Sequence, residues 1–176
     1  MPPTPPALQW SVDELRLPKQ LETDERLPSL QAALRASARK LWDGGAIDVP
    51  VAAWNPAVAT ALSDADRDGR LVRGLELIEK TLEREARGLS LVDARSGTER
   101  GSRVSRLLLL SQDGTERFYR QSERLICTQG SRLLAIRLEA DSSQLAGVVS
   151  QASGVVRALL VEHKESVARV LLTLYP

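Results

Sequence analysis

Three short apolar runs in the C-terminal half constrain the fold of this chain more than any other feature. They span residues 103–111, 133–138 and 155–161, and polar segments with helical patterning separate them. Runs of this length, rich in Val, Leu and Ile, are typical of strands buried on both faces of a parallel sheet. We therefore predict an α/β fold, a three-layer α/β/α sandwich with a mixed, mainly parallel sheet and a helical N-terminal extension.

Helix signals lie between and after these runs. The sequence predicts helices over residues 116–128, 141–149 and 164–174. Asp141 or Ser142 is suited to cap the second of them, because its side-chain oxygen can accept a hydrogen bond from a free backbone N–H of the first turn.

Upstream, the helical spacing of apolar residues predicts helices over 27–42, 56–62 and 74–87. Residues 46–55 read as a connector or a short edge strand. Gly88 is a natural helix stop, so residues 89–94 are predicted to form a strand that pairs antiparallel with the run at 103–111.

Composition divides the chain into three parts. Residues 1–26 are predicted to be a Pro-rich tail and loose segment, residues 27–62 a helical extension packed on the core, and residues 63–176 the α/β domain. All three tryptophans, Trp10, Trp42 and Trp54, precede the α/β domain. Because large aromatic side chains bury much area, we expect Trp42 to attach the extension to that domain.

The charge and cysteine content limit the partners and the compartment. The 24 basic residues nearly balance the 23 acidic ones, so an overall field that attracts nucleic acid is absent, although a local patch remains possible. The single Cys127 cannot form an internal disulfide, which favours a reducing compartment. No signal peptide or membrane-spanning run is recognisable. We expect a cytoplasmic protein with no membrane or DNA partner.

Residues 64–71 match the first eight positions of a calcium-binding loop. Asp64, Asp66 and Asp68 alternate ahead of Gly69, as the loop requires. The twelfth position, which should supply a bidentate Glu, is Leu75. We therefore expect no metal site in this segment and no cofactor in the protein.

Catalytic motifs are absent from the sequence. It has no nucleophile elbow, phosphate-binding loop, dinucleotide fingerprint or zinc-binding helix motif. His163, the one histidine, follows the run at 155–161, and α/β proteins place their sites at the ends of parallel strands. A pocket near Asp113, Asp141 and His163 would make the chain a small-molecule binder or an enzyme, although no nucleophile–base pair supports catalysis.

Residues 69–174 resemble the L7Ae ribosomal-protein superfamily, which also contains the C-terminal domain of the release-factor and Pelota proteins. The segment GRLVRGLELIEKTLERE resembles the strand-to-helix entry of those domains, and VSRLLLLSQDG resembles their central strand and acidic turn. LLAIRLEADSSQLAGVVSQASGVVRALLV resembles their closing strand–helix–strand. The resemblance implies an α/β/α sandwich that binds RNA or protein.

The RNA-binding signature of that superfamily, G-T-N-E-x-x-K, is only partly present. Gly74 and Lys80 match, whereas Glu76 stands at the Asn position and Leu77 at the Glu position. A carboxylate repels phosphate and Leu cannot hydrogen-bond a base, so the resemblance favours the protein-binding members.

Three functions follow from these observations. The first is a non-enzymatic interaction module that binds a protein partner. The second is an RNA- or ribosome-associated protein that uses a local basic patch, formed by Arg70, Arg73, Lys80, Arg84 and Arg87. The third is the pocket at the strand C-termini.

We predict that millimolar Ca²⁺ leaves the melting temperature of the protein unchanged, because the loop lacks its twelfth-position ligand. A specific ligand at about 100 times its dissociation constant would add about 2.7 kcal/mol to the free energy of unfolding. Thermal unfolding with and without Ca²⁺ checks this, and an upward shift abolished by Asp66→Ala would contradict it.

Overall fold

The computed structural model describes residues 8–96, 103–150 and 154–176. Its strands are β1 (Arg39–Lys40), β2 (Asp48–Val49), β3 (Val51–Ala53), β4 (Leu71–Arg73), β5 (Arg106–Leu110), β6 (Leu133–Glu139) and β7 (Ala158–Val161). β1 and β2 form a small antiparallel sheet, and the other five form the main sheet in the order β3-β6-β5-β7-β4.

The α-helices within these residues are α1 (Leu27–Ala36), α2 (Pro56–Arg67), α3 (Leu75–Ser96), α4 (Glu116–Gln129), α5 (Ser142–Ala146) and α6 (Lys164–Leu174). Their starts follow local capping. Asn55, Thr115 and Asp141 each accept a backbone N–H of the helix that follows, and Asp141 forms a complete capping box with Gln144.

The core is centred on β5, which lies between β6 and β7. Residues 107–110 of this strand are leucines, all 0% exposed. Because consecutive side chains of a strand point to opposite faces, both faces of the sheet are covered at its centre. The predicted α/β class and mixed sheet are confirmed.

β7 runs antiparallel to its neighbours, whereas β3, β4, β5 and β6 share one direction. The spacing of the three apolar runs suggested that all three strands are parallel. The third of them, β7, is antiparallel to the other two. The connection, residues 140–157, exceeds the dozen residues that a parallel return needs, so its length does not exclude one. Val156 N donates to Ser142 O beside the end of β6, so the chain re-enters the sheet at the end where it left and runs back antiparallel.

α3 continues past Gly88 to Ser96, so the prediction of a strand over residues 89–94 is wrong. Gly88 is not among the glycines with positive φ, and it sits within the helix rather than capping it. A glycine inside a helix costs only about 1 kcal/mol, which the surrounding good helix formers offset. The expected hairpin with 103–111 does not form, since β5 pairs with β6 and β7 instead.

The predicted helix over 27–42 ends early, at Ala36. The chain then forms the β1–β2 hairpin, with Trp42 and the positive-φ Gly44 in its loop. Further along, α2 extends through residues 63–67, so the predicted domain boundary at residue 63 falls inside a helix. β3, from the predicted extension, is an edge strand of the main sheet and pairs in parallel with β6.

The segment before α1 is not loose where the structure describes it. Trp10 is 8% exposed, its indole N–H donates to Leu133 O at 3.2 Å, and Leu17 and Leu21 are buried. No hydrophobic periodicity marks this segment, because these residues pack individually rather than on one helical face.

The residues of the calcium-like motif are not arranged as a loop. Asp64 and Asp66 lie within α2, and Asp68 is its C-cap. The Asp66 carboxylate accepts hydrogen bonds from Ser150 N and Oγ, both at 3.0 Å. A helix directs alternate side chains to different sides, so the three carboxylates cannot converge on one ion.

The buried carboxylate of Glu123 on α4 holds the β1–β2 loop. It accepts Ala46 N at 2.6 Å, Ile47 N at 3.0 Å and Trp42 Nε1 at 3.3 Å, and its side chain is buried. Arg120 of the same helix lies over the Trp42 ring. Trp42 thus contacts α4, as its size led us to expect.

We predict that Glu123→Ala destabilises the protein by about 2–4 kcal/mol, because it leaves several buried N–H donors without an acceptor. Glu123→Gln should cost less, since its amide oxygen still accepts one or two of them. Urea unfolding followed by tryptophan fluorescence measures both. The exposed Glu116 on the same helix is the control, and Glu116→Ala should cost less than about 1 kcal/mol. Equal losses for Glu123→Ala and Glu116→Ala would contradict this role.

Candidate functional site

Asp113 and Asp141 lie together at the end of the sheet where β5 and β6 finish. Asp113 accepts Ser142 N at 3.0 Å and Ser142 Oγ at 2.7 Å, and Asp141 caps α5. Burial raises the pKa of Asp113, but the hydrogen bonds from Ser142 outweigh it and leave the pKa below its usual value. The hydrogen bond from Ser143 likewise lowers the pKa of Asp141. Both carboxylates are therefore ionised and already engaged in stabilising this turn.

His163 lies at the opposite end of the sheet, where β5 begins. It follows β7, whose last residue, Val161, pairs with Leu107 near the start of β5. Asp113 follows the end of β5, so the antiparallel direction of β7 separates the two residues by the length of the strand. The structure brings together Asp113 and Asp141 of the predicted pocket, but not His163.

A cleft of about 920 Å³ lies at the end of the sheet that carries His163. We call it the α3 cleft. Its walls come from the C-terminal half of α3, the start of β5, the segment before β6, the segment after β7 and residues 18–19. Sequence elements far apart in the chain therefore build one concavity.

A partly buried ion cluster forms the floor of the α3 cleft. The Glu85 carboxylate of α3 accepts two hydrogen bonds from Arg106 Nε and Nη2, each at 3.1 Å, and it also pairs with Arg132 Nη2. These side chains are between 16% and 25% exposed, so water screens them less than it screens surface pairs. Charged pairs of this kind position the groups around them more than they add stability.

Arg132 retains unused hydrogen-bonding capacity. Its Nε and Nη1 atoms are buried and, in the part of the chain that the structure describes, have no hydrogen-bond partner. Arginine offers five N–H donors, and leaving buried donors unpaired costs free energy. Arg132, which lines the cleft, therefore keeps two donors just beneath its surface that lack an acceptor among the described residues.

Glu162 adds a second carboxylate beside this cluster. Burial raises its pKa, the neighbouring Glu85 raises it further, and Arg106 and Arg70 act in the opposite direction. The Arg70 side chain thus lies near the Glu162 carboxyl group. The backbone carbonyl oxygen of Arg70 also accepts a hydrogen bond from Glu162 N at 2.9 Å.

The structure divides the five residues of the predicted basic patch between residues 70–73, at β4, and α3. Arg70 and Arg73 lie at opposite ends of β4, and Arg73 lines a small groove with Phe118 and Arg157. Lys80, Arg84 and Arg87 lie together on α3, where Lys80 pairs with Glu76 at 3.2 Å. Acidic residues thus stand between the basic ones.

Sequence reasoning missed the residues that build the α3 cleft, chiefly Glu85, Arg106 and Arg132. One signal was available, since an arginine stands at the start of each of two adjacent apolar runs, at 106 and 132. The strand register places Arg106 opposite Leu133, next to Arg132. Only that register, which the sequence does not carry, shows that the two guanidinium groups meet.

No known protein family and no curated protein sequence matches the chain. Within the described residues, no three metal-ligating side chains come together, and the helices are all too short or too polar to cross a bilayer.

Cys127 on α4 is poorly suited to act as a nucleophile. Burial raises the pKa of its thiol to about 11, and the nearby Glu123 carboxylate raises it as well. A buried environment disfavours the thiolate, which is the reactive form. The thiol is therefore protonated at neutral pH.

We predict that iodoacetamide alkylates Cys127 about 100-fold more slowly at pH 8 in the native protein than in a short unstructured peptide, because the thiolate fraction falls with the raised pKa. Intact mass spectrometry follows the reaction unambiguously, since the chain has one cysteine. The same protein in urea should react at the peptide rate. A fast native reaction that levels off below pH 9 would show an activated thiol instead.

Proposed function

We propose that this chain is a non-enzymatic interaction module that binds a protein partner through an L7Ae/release-factor-like α/β domain. The observation that carries this proposal is the C-terminal half of α3, residues 83–96, which we call the distal half. Leu82 is buried, but none of residues 83–95 is. Helices in proteins gain most of their stability by packing an apolar face, and this half has little to pack against.

Apolar side chains stand on the unpacked helix. Leu91 is 62% and Val92 is 47% exposed, and Val92 and Leu89 line the α3 cleft. A helix of 22 residues is about 33 Å long, which is longer than any strand of the main sheet. Exposed apolar residues beside a concavity are typical of protein-interaction sites.

Two observations favour this function over RNA binding. Lys80, which matches the family's backbone-contacting lysine, is paired with Glu76 at the position where that family has Asn. Leu77, at the family's base-reading Glu position, is 52% exposed and apolar. Both differences weaken contacts to phosphate and bases and suit a protein surface.

The engagement of Asp113 and Asp141 weighs against a ligand pocket at the strand C-termini. Their oxygens already accept hydrogen bonds from the turn that follows β6. A ligand there would have to displace these bonds.

We also propose that the layers are those of an α/β/α sandwich. The contacts of α2 with α6 and of α3 with α4 support it, because each pair would cover one face of the main sheet. The burial of every residue of β7 supports two covered faces.

The test compares two matched variants of the full chain as bait in nuclease-treated native lysate. Val92→Arg places a charge in the α3 cleft, and Leu77→Arg places the same charge on the half of α3 before Leu82. Because both positions are exposed, both variants should keep the wild-type circular dichroism spectrum and melting temperature. The partner, identified by mass spectrometry and purified, should bind wild type and Leu77→Arg equally and Val92→Arg at least tenfold more weakly.

Two outcomes would contradict the proposal. One is a partner whose affinity for the Val92→Arg variant is unchanged. The other is capture that disappears on nuclease treatment and returns with added RNA, which would favour the RNA-associated alternative.

A further inference from the structure

We propose that the α3 cleft binds an acidic peptide segment that carries aliphatic side chains. This inference rests on the proposed function and names the chemistry of its partner. It begins from the shape of the cleft, whose volume of about 920 Å³ lies within the range of ligand-binding pockets, about 300–1,000 Å³.

One wall of the cleft is apolar. Leu89 and Val92 of α3 face it, and Pro18 and Val104 line it from the other side. Val104 and Pro18 are buried, whereas Leu89 and Val92 are at least partly exposed. The apolar side chains of α3 that line the cleft are therefore not fully covered by other residues. An aliphatic side chain placed against Leu89 and Val92 would bury the apolar area that these two residues leave exposed.

The remaining lining is mainly cationic. Five basic side chains line the cleft against three acidic ones; the basic ones are Lys19, Arg103, Arg106, Arg132 and Lys164, and the acidic ones are Glu85, Asp93 and Glu162. Glu85 is already neutralised by Arg106 and Arg132. Lys19 and Lys164 are exposed and form no ion pair with any residue that the structure describes.

The unpartnered Nε and Nη1 atoms of Arg132 indicate where a negatively charged group of the ligand could be bound. A ligand carboxylate at the cleft floor could accept from donors that are otherwise buried without a partner. α6 also begins at the cleft, and its N-cap His163 makes no side-chain capping bond, so the positive end of the helix dipole adds to the attraction.

The lining favours a peptide over a nucleic acid. Proteins that bind single strands stack bases on aromatic side chains, and no Phe, Tyr or Trp is among the described residues of the lining. Glu162, which lines the cleft beside the ion cluster, would repel a continuous phosphate backbone, whereas a peptide can space its carboxylates around it.

The probes are short fluorescein-labelled peptides of alternating Glu and Leu, Lys and Leu, or Glu and Ser, measured with the full chain by fluorescence anisotropy. The Glu-Leu peptide should bind, with an affinity that falls as salt rises. The Glu-Ser peptide should bind about tenfold more weakly, because it lacks the aliphatic groups, and the Lys-Leu peptide should not bind. Equal binding of the Glu-Leu and Lys-Leu peptides would overturn the inference.

Matched variants place the binding at the cleft. The double variant Lys19→Glu and Lys164→Glu reverses two charges of the lining, and Lys40→Glu with Lys80→Glu reverses two exposed charges outside it. The first pair should weaken the Glu-Leu peptide at least tenfold and the second less than about twofold. Val92→Ser should weaken the Glu-Leu peptide but leave the Glu-Ser peptide unchanged. Equal losses from both pairs would show a general charge effect and overturn the inference.

Two further results separate this inference from the proposed function. An oligouridine probe that binds more tightly than the Glu-Leu peptide, and displaces it, would overturn the peptide specificity. If no acidic peptide binds while Val92→Arg still abolishes binding of the natural partner, the inference fails and the proposed function stands. If Val92→Arg retains that partner, the proposed function fails whatever the peptides do.

Discussion

The path of the connection between β6 and β7 decides where the functional groups of this chain lie. Residues 142–146 of this connection form α5, and the hydrogen bond from Val156 N to Ser142 O returns the chain to the end of the sheet where β6 finishes. β7 must then run back antiparallel, so the residues that follow it emerge at the edge where β5 and β6 begin. That reversal brings Glu162, His163 and the start of α6 to the α3 cleft. With a parallel β7, the same residues would lie beside Asp113 and Asp141.

Local signals predicted the parts of the fold that depend on local physics. α6 has the predicted bounds, α4 differs by one residue, and Asp141 caps α5, because capping side chains and helical periodicity act within a few residues. The four consecutive buried leucines of β5 likewise lie in one of the three apolar runs that were predicted to be strands buried on both faces. Strand direction has no such signature. An apolar run buried on both faces reads the same in either direction, and only the length and path of the connection select between them.

The ion cluster shows a second limit of sequence reasoning. Arg106 and Arg132 lie 21 and 47 positions along the chain from Glu85, whose carboxylate they share, so only the folded chain brings the three residues together. Each residue alone is an ordinary charged side chain on a predicted surface. Their pairing needs the register between β5 and β6 and also the continuation of α3 beyond Leu82. The interpretation of Gly88 as a helix stop removed residues 89–96 from α3, and with them Leu89 and Val92, which line the cleft.

The distal half of α3 links the stability of the fold to the function proposed for it. Its backbone hydrogen bonds are intrahelical, its side chains are not buried, and Gly88 weakens it by about 1 kcal/mol relative to alanine. A short helical stretch without tertiary packing is marginal in water. A partner that packs on Leu89 and Val92 supplies the missing apolar contacts, so binding and helix order stabilise each other. Order in this helix also affects the ion cluster of the cleft, because Glu85 lies one turn after Leu82 and pairs with the guanidinium groups of Arg106 and Arg132. The wall that a ligand contacts and the charges that attract it are therefore ordered by one helix.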